Sequence, residues 1–235
     1  MSTLIAALAF VIALIGAAPA AQSQEGTLTF ALHFSLPHLD PADTDNTITP
    51  FLTLYTMHDA LLKPMPGTGS APSLAESWSM ARDGLSAEFT LRAGLKFHNG
   101  DPLTTEDVKF TFERFRGGSA RILKTAVKEI VIQSPTKIRF VFKEPFPDFP
   151  AFYGTFVTGA GWIVPKKYVE RVGDEGFKKA PIGAGPYKFV SFTPGVELVL
   201  EAFDGYWRKK PSVKRLVFRI MPDETTRFTD GVLRQ

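Results

Sequence analysis

The stretch that most restricts what this chain can fold into is Pro181 to Trp207, PIGAGPYKFVSFTPGVELVLEAFDGYW. Turn-forming residues stand at fixed places around two runs of alternating polar and apolar side chains. Pro194-Gly195 suits the second and third positions of a type II turn, because proline fixes φ and glycine accepts a positive one. The flanking runs therefore predict an antiparallel hairpin, approached through Gly183-Ala184-Gly185 and closed by the aromatic pair Tyr206-Trp207. A hairpin is marginal alone, so other strands or helices must cover its apolar face.

The rest of the chain reads as mixed α/β structure with strands prominent. Leu28, Phe30, Leu32 and Phe34 alternate with polar or small residues, predicting a strand over Thr27 to Phe34. A loop rich in Pro, Asp, Asn and Thr follows from Pro37 to Pro50. Phe51 to Leu62 predicts a helix, stopped by Pro64 and the Pro66-Gly67-Thr68-Gly69 turn. Leu85 to Arg92 alternates and predicts a half-buried strand. Thr104 precedes Asp107 at capping-box spacing, and Val108, Thr111, Phe112 and Phe115 line one face of the helix that follows, which Gly117-Gly118 should end. Ile138, Phe140 and Phe142 predict another strand, and Pro145, Pro147 and Pro150 a turn-rich connection. An amphipathic run, Lys166 to Val172, leads to the hairpin, and Val213 to Ile220 is the last clear strand.

Three segments carry a family resemblance. Pro181 to Trp207 is similar to a "P-x-G-(S/T/A)-G-P-Y … Y-W" signature. Ala71 to Trp78, APSLAESW, with Leu95 to Arg114, LKFHNGDPLTTEDVKFTFER, resembles "P-x-L-A-E-S-W … K-F-H-(D/N)-G-x-P-(F/L)-T-A-E-D-V". Lys209 to Arg227, KKPSVKRLVFRIMPDETTR, resembles a strand running into "I-P-D-x-(S/T)-T-R". All three belong to the peptide- and nickel-type (family 5) extracellular solute-binding proteins of bacterial ABC importers, and the agreement runs from Glu25 to about Arg227.

The resemblance implies an α/β, periplasmic-binding-protein-like clamshell of the peptide-binding type. Residues 24–50 and 181–235 would form lobe I, and residues 51–180 an inserted α/β subdomain. Relatives continue past the last motif into a second lobe, so the chain is expected to be incomplete, with weak or absent affinity by itself. The implied function is capture of a peptide or similar small solute in the periplasm and delivery to an ABC permease in the inner membrane, as a monomer without cofactor. Two other classes compete: a secreted hydrolase using Glu106 or Asp107, and a sensory or scaffold fragment that contacts a membrane receptor.

Composition bears on compartment and partners. The apolar run Leu4 to Ala18, then Ala18-Pro19-Ala20 and polar Gln22-Ser23-Gln24, predicts a signal peptide over residues 1–23. The run is shorter than the roughly 20 apolar residues of a spanning helix. No Lys or Arg precedes Leu4, so the true start is expected upstream. With no cysteine, the chain offers neither disulfide nor thiol nucleophile. Its 27 basic and 24 acidic residues give a net charge of +3, and the basic residues alternate with apolar ones in strands. Nucleic-acid binding would want a concentrated basic stripe.

Catalytic motifs are few. Gly183-Ala184-Gly185 starts like a dinucleotide fingerprint, but Lys188 stands where a third glycine is required. Glu106-Asp107 reads as acids facing the positive end of a helix. No two of His33, His38, His58 and His98 share a helical i, i+4 spacing, so no metal site is expected. Trp162 lies in the Gly-flanked stretch Thr158 to Trp162, where an aromatic could present a flat face to a ligand. The resemblance places the polar loop containing Thr44, Asp45 and Asn46 beside a cleft. His58 and Ala60 replace the aromatic and glycine of the family's "Y-(E/D)-G-L". The candidate ligand contacts are therefore Thr44, Asp45, Asn46, His58 and Trp162.

Overall fold

The computed structural model describes residues 26–34, 37–43, 55–65, 68–154 and 159–223. The leader at 1–23, the candidate contacts Thr44, Asp45 and Asn46, and the end of the last motif lie outside the described residues.

Two four-stranded sheets organise the chain. The first orders its strands β1 (Thr27–Leu32), β10 (Arg215–Ile220), β9 (Glu197–Ala202) and β8 (Tyr187–Thr193). The second orders β4 (Ala75–Met80), β5 (Ser86–Leu91), β7 (Lys137–Phe142) and β6 (Val127–Ser134). A two-stranded ribbon, β2 (Leu62–Met65) with β3 (Thr68–Pro72), stands between them in sequence. β1 and β10 pair in parallel, Leu28 opposite Leu216 and Leu32 opposite Ile220, so the two sequence extremes of the first sheet are hydrogen-bonded neighbours.

The signature hairpin forms as read. β8 and β9 pair antiparallel, the Val196 N–H donates to the Thr193 carbonyl at 3.0 Å, and Gly195 takes φ of 74° at the turn. The helix after Thr104 is α2 (Thr105–Arg114); the Thr104 N–H donates to Asp107 Oδ2 at 2.9 Å, closing the predicted capping contact. Val108, Thr111, Phe112 and Phe115 are all buried on its inner face. The chain leaves this helix at Phe115, two residues before Gly117.

Four stretches differ from the sequence reading. In Phe51 to Leu62 only α1 (Tyr55–Met57) is helical among the described residues, and a strand starts at Leu62. Carbonyls that a helix would use internally are taken by tertiary partners: Met57 by the Gly185 N–H at 2.9 Å, Asp59 by Ile163 at 3.1 Å, and Ala60 by Leu74 at 3.0 Å. The proline-rich connection holds α4 (Phe149–Gly154), where Pro150 occupies the first turn, a place whose N–H has no helical partner anyway. Beyond Gly118, α3 (Ala120–Ala126) runs directly into β6. The amphipathic run extends past Val172 as α5 (Lys166–Lys179), with a break at Gly173, whose φ is 71°.

An aromatic core binds the second sheet to its helices. Phe140 on β7 has ring centroids of Phe89, Phe112, Phe149 and Tyr153 at 5.8, 5.5, 5.0 and 5.2 Å. Phe140→Ala should cost about 3–5 kcal/mol, as expected for emptying such a site. Ile122→Ala, at a side chain 48% exposed, should cost under about 0.5 kcal/mol. Urea unfolding of both variants, monitored by far-UV circular dichroism, checks the contrast.

Candidate functional site

Residues 57–61 form a short ribbon at which the two sheets meet. Ala60 forms an isolated antiparallel bridge with Trp162. On the other side the Gly183-Ala184-Gly185 loop lies backbone against backbone: a Cβ on Gly183 would sit 2.0 Å from the Met57 carbonyl oxygen, and one on Gly185 2.7 Å from that of Thr56. Only glycine permits that approach. The glycine pair therefore serves close packing, with no phosphate-cradling geometry required of it.

Asp59 is the chemical centre of this ribbon. It is fully buried, and its carboxylate accepts from Ser73 Oγ at 3.1 Å, Tyr206 Oη at 3.1 Å and Trp207 Nε1 at 2.8 Å. The Lys63 ammonium completes the set as its ion-pair partner, with a side chain only 12% exposed. That ammonium also stands 5.4 Å from the ring centre of Tyr55 and 6.0 Å from that of Trp162, a cation–π arrangement. Burial, and then the neighbouring Asp59 charge, push the Tyr206 hydroxyl pKa up, so it remains a donor. The Arg92 guanidinium covers Trp207 at 4.6 Å.

His58, the preceding residue, is also fully buried; the Leu39 and Ile163 backbones weakly favour its charged form, but neither ring nitrogen makes a well-formed hydrogen bond. Burial holds its pKa down to about 3; a nearby His98 acts in the same direction and Asp40 opposes. Trp162 is 1% exposed, meets Tyr55 edge-on at 4.5 Å, and leaves Nε1 unpartnered. The structure thus brings His58 and Trp162 to one ribbon but encloses both; a solute would reach either only if their covering residues moved.

Sequence reasoning marks His58 and Ala60 and passes over Asp59 between them. Asp59 and Lys63, acid and base at i, i+4 in an otherwise apolar run, are the signal that could have found the pair. It also passes over Arg114, which donates Nη1 to Asp40 Oδ1 at 2.8 Å, pairs with Asp40 again through Nη2, and reaches Asp174 at 2.8 Å. Burial works against the Arg114 charge, but Asp40 and Asp174 more than offset it and raise the pKa. A separate cleft of about 420 Å³ opens beside Thr104, Glu106, Pro165 and Lys166. There Asp107 is occupied by the N–H groups of Thr104 and Lys166, and burial raises its pKa. Among the described residues no group of three or more His, Asp or Glu could hold a metal ion.

Comparison with known proteins defines the class first. The fold is that of the peptide-binding clamshell proteins: a dipeptide-binding protein from Pseudoalteromonas sp. SM9913, solved with Met-Leu, superposes over 89% of this chain and 46% of its own, with a TM-score of 0.80 at 22% identity. An ABC transporter-associated periplasmic binding protein from Helicobacter pylori, solved with a peptide, covers 87% and 44%, with a TM-score of 0.76 at 26% identity. The family model described as bacterial extracellular solute-binding proteins, family 5 Middle, matches residues 70–230. The chain belongs to this family. Di/tripeptide-binding protein 2 of Pseudomonas aeruginosa is 29% identical over 90% of this chain, and the dipeptide-binding protein of Escherichia coli 27% over 92%. The chain spans 44% and 45% of the length of these two relatives.

Removing one member of the buried pair should be far worse than removing one neutral donor. Asp59→Asn leaves the Lys63 ammonium without its counter-charge and should cost about 3–5 kcal/mol. Tyr206→Phe should cost about 1 kcal/mol. Adding Lys63→Met to Asp59→Asn should recover part of the loss, and a double-mutant cycle in urea measures that coupling.

Proposed function

We propose that this chain is part of the substrate-binding component of an ABC-type importer, which captures a peptide or similar small solute in the periplasm and passes it to a membrane permease. The observation that carries this reading is the family match over residues 70–230, joined to the clamshell fold. Two-lobed binding proteins enclose a solute between lobes and draw their affinity from burying it and satisfying its charged ends. Relatives bearing dipeptide-binding, nickel-binding and heme-binding names set the range of solute classes to consider.

Within that reading, the loop of Thr44, Asp45 and Asn46 supplies polar contacts at the cleft. Trp162 and His58, both enclosed, would meet a solute only once their covering residues move. The hydrolase alternative gains no support from Asp107, whose carboxylate is held by two backbone N–H groups, or from Glu106, which pairs with Lys166 at 3.4 Å on the surface.

A thermal-shift screen against dipeptides, tripeptides, nickel complexes, opines and oligosaccharides tests the reading. A bound solute stabilises the native chain by about 2.7 kcal/mol at a hundredfold excess over its Kd. The expected result, for a chain spanning under half of its relatives' length, is a weak rise of the midpoint with one solute class, smaller still in Asp45→Ala and Asn46→Ala. A midpoint unmoved by every class up to its solubility would remove solute capture by this chain.

A further inference from the structure

We propose that His58 and His98 form an acid-sensitive latch that fastens the Gly183-Ala184-Gly185 loop, and through it the β1–β10–β9–β8 sheet, to the two segments that carry them, the 57–61 ribbon and the turn at 97–101.

His98 grips the loop at both ends. The Gly183 N–H donates to His98 Nδ1 at 3.2 Å, and His98 Nε2 lies 3.0 Å from the Gly185 carbonyl oxygen. An N–H can only donate and a carbonyl can only accept, so both bonds exist together only for the neutral ring protonated at Nε2. The His98 backbone N–H adds a third bond, to the Gly183 carbonyl at 2.9 Å. A second proton on His98 would turn Nδ1 into a donor facing the Gly183 donor. One bond would be lost and replaced by repulsion.

His58 stands behind the same loop. A Cβ on Gly183 would come within 2.8 Å of His58 Nδ1, so the ring and the loop are in direct contact. The charged or titratable groups acting on His58 are Asp40 and His98, and Lys188 on β8 acts on His98. Asp40 is already committed to Arg114. A proton on His58 would therefore create a fully buried cation with no free acid beside it.

Loss of the latch follows pH in one direction. Burial, with Lys188 adding to it, lowers the His98 pKa from 6.5 to about 4, and burial lowers that of His58 to about 3. The open state thus binds more protons than the closed state between those values and 6.5. The latch is at full strength above about pH 6.5, weakens below it, and is lost as the pH falls through the depressed values. Each imidazole can weaken closure by up to tenfold per pH unit in that window.

Hydrogen exchange read by mass spectrometry tests this on the whole chain between pH 7.5 and 5, after correction for intrinsic rates. Peptides covering 180–188 and 55–63 should lose at least tenfold protection, while those covering β5 and β7 hold theirs. His98→Gln, whose amide carries an acceptor and a donor but does not titrate, should lessen the pH dependence of the loop peptides. Flat protection of those peptides, or an undiminished slope in folded His98→Gln, overturns the latch. If His98→Gln does not fold, ring-proton NMR of the unmodified chain decides: both imidazoles should stay neutral down to about pH 5, and either titrating near 6.5 overturns it.

Discussion

One buried carboxylate holds distant parts of this chain to each other. Asp59 draws Lys63 from the start of β2, Ser73 from the link into β4, and Tyr206 and Trp207 from the stretch after β9. A carboxylate taken wholly out of water is costly unless its lone pairs and its charge are both answered. Four donors, one of them cationic, answer it. Because β9 pairs with β10 and β10 with β1, fixing Tyr206-Trp207 also fixes the sheet that joins the sequence extremes. The aromatic core around Phe140 holds the second sheet to its helices, and Ala184, Ile182 and Trp207 from the segments flanking the hairpin pack against the same cluster, but it is the Asp59 carboxylate that fixes the direction of the Tyr206-Trp207 pair.

A second charged cluster surrounds Arg114, and burial decides which ion pairs matter. Arg114, 6% exposed, ties fully buried Asp40 to the end of α2 with two parallel bonds. Bidentate, desolvated pairs of this kind fix orientation as well as charge. Lys109 and Glu113, at 3.9 Å with side chains 38% and 59% exposed, are the contrasting case, and such surface pairs contribute little. Both strong clusters converge near His58: Asp59 adjoins it in sequence, and Asp40 acts on it through space.

What the sequence made legible was local. The Pro194-Gly195 turn, the Thr104/Asp107 cap and the alternation in β5 and β7 are decided by neighbours a few residues away, and all appear in the structure. The helix expected over Phe51 to Leu62 stops at Met57 among the described residues for the opposite reason: its periodicity is helical, but the Met57, Asp59 and Ala60 carbonyls bond to Gly185, Ile163 and Leu74, partners that no local rule can place. The same limit hid Asp59. Its importance lies in residues 14 and 148 positions away, whereas the substitutions visible beside it, His58 and Ala60, drew attention to themselves. Trp162 shows the converse error of inference, since a Gly-flanked setting suggested exposure, yet Gly161 lets the chain press so close to Tyr153 that a Cβ would lie 2.2 Å from its carbonyl oxygen.

The Gly183-Ala184-Gly185 seam explains how such a fold can separate its architecture from its chemistry. The seam is made largely of backbone groups, closed by glycines, bonded by the His98 imidazole and backed by that of His58, so its geometry asks little of other side chains. Solute recognition asks the reverse, specific side chains presented by loops that the scaffold merely positions. A chain built this way can keep the seam, the Asp59 hub and the hairpin while the residues bordering a cleft change. An imidazole is the one seam component whose hydrogen bonding depends on the medium. Placing it where two glycine backbones must both be satisfied ties the hold on this loop to pH.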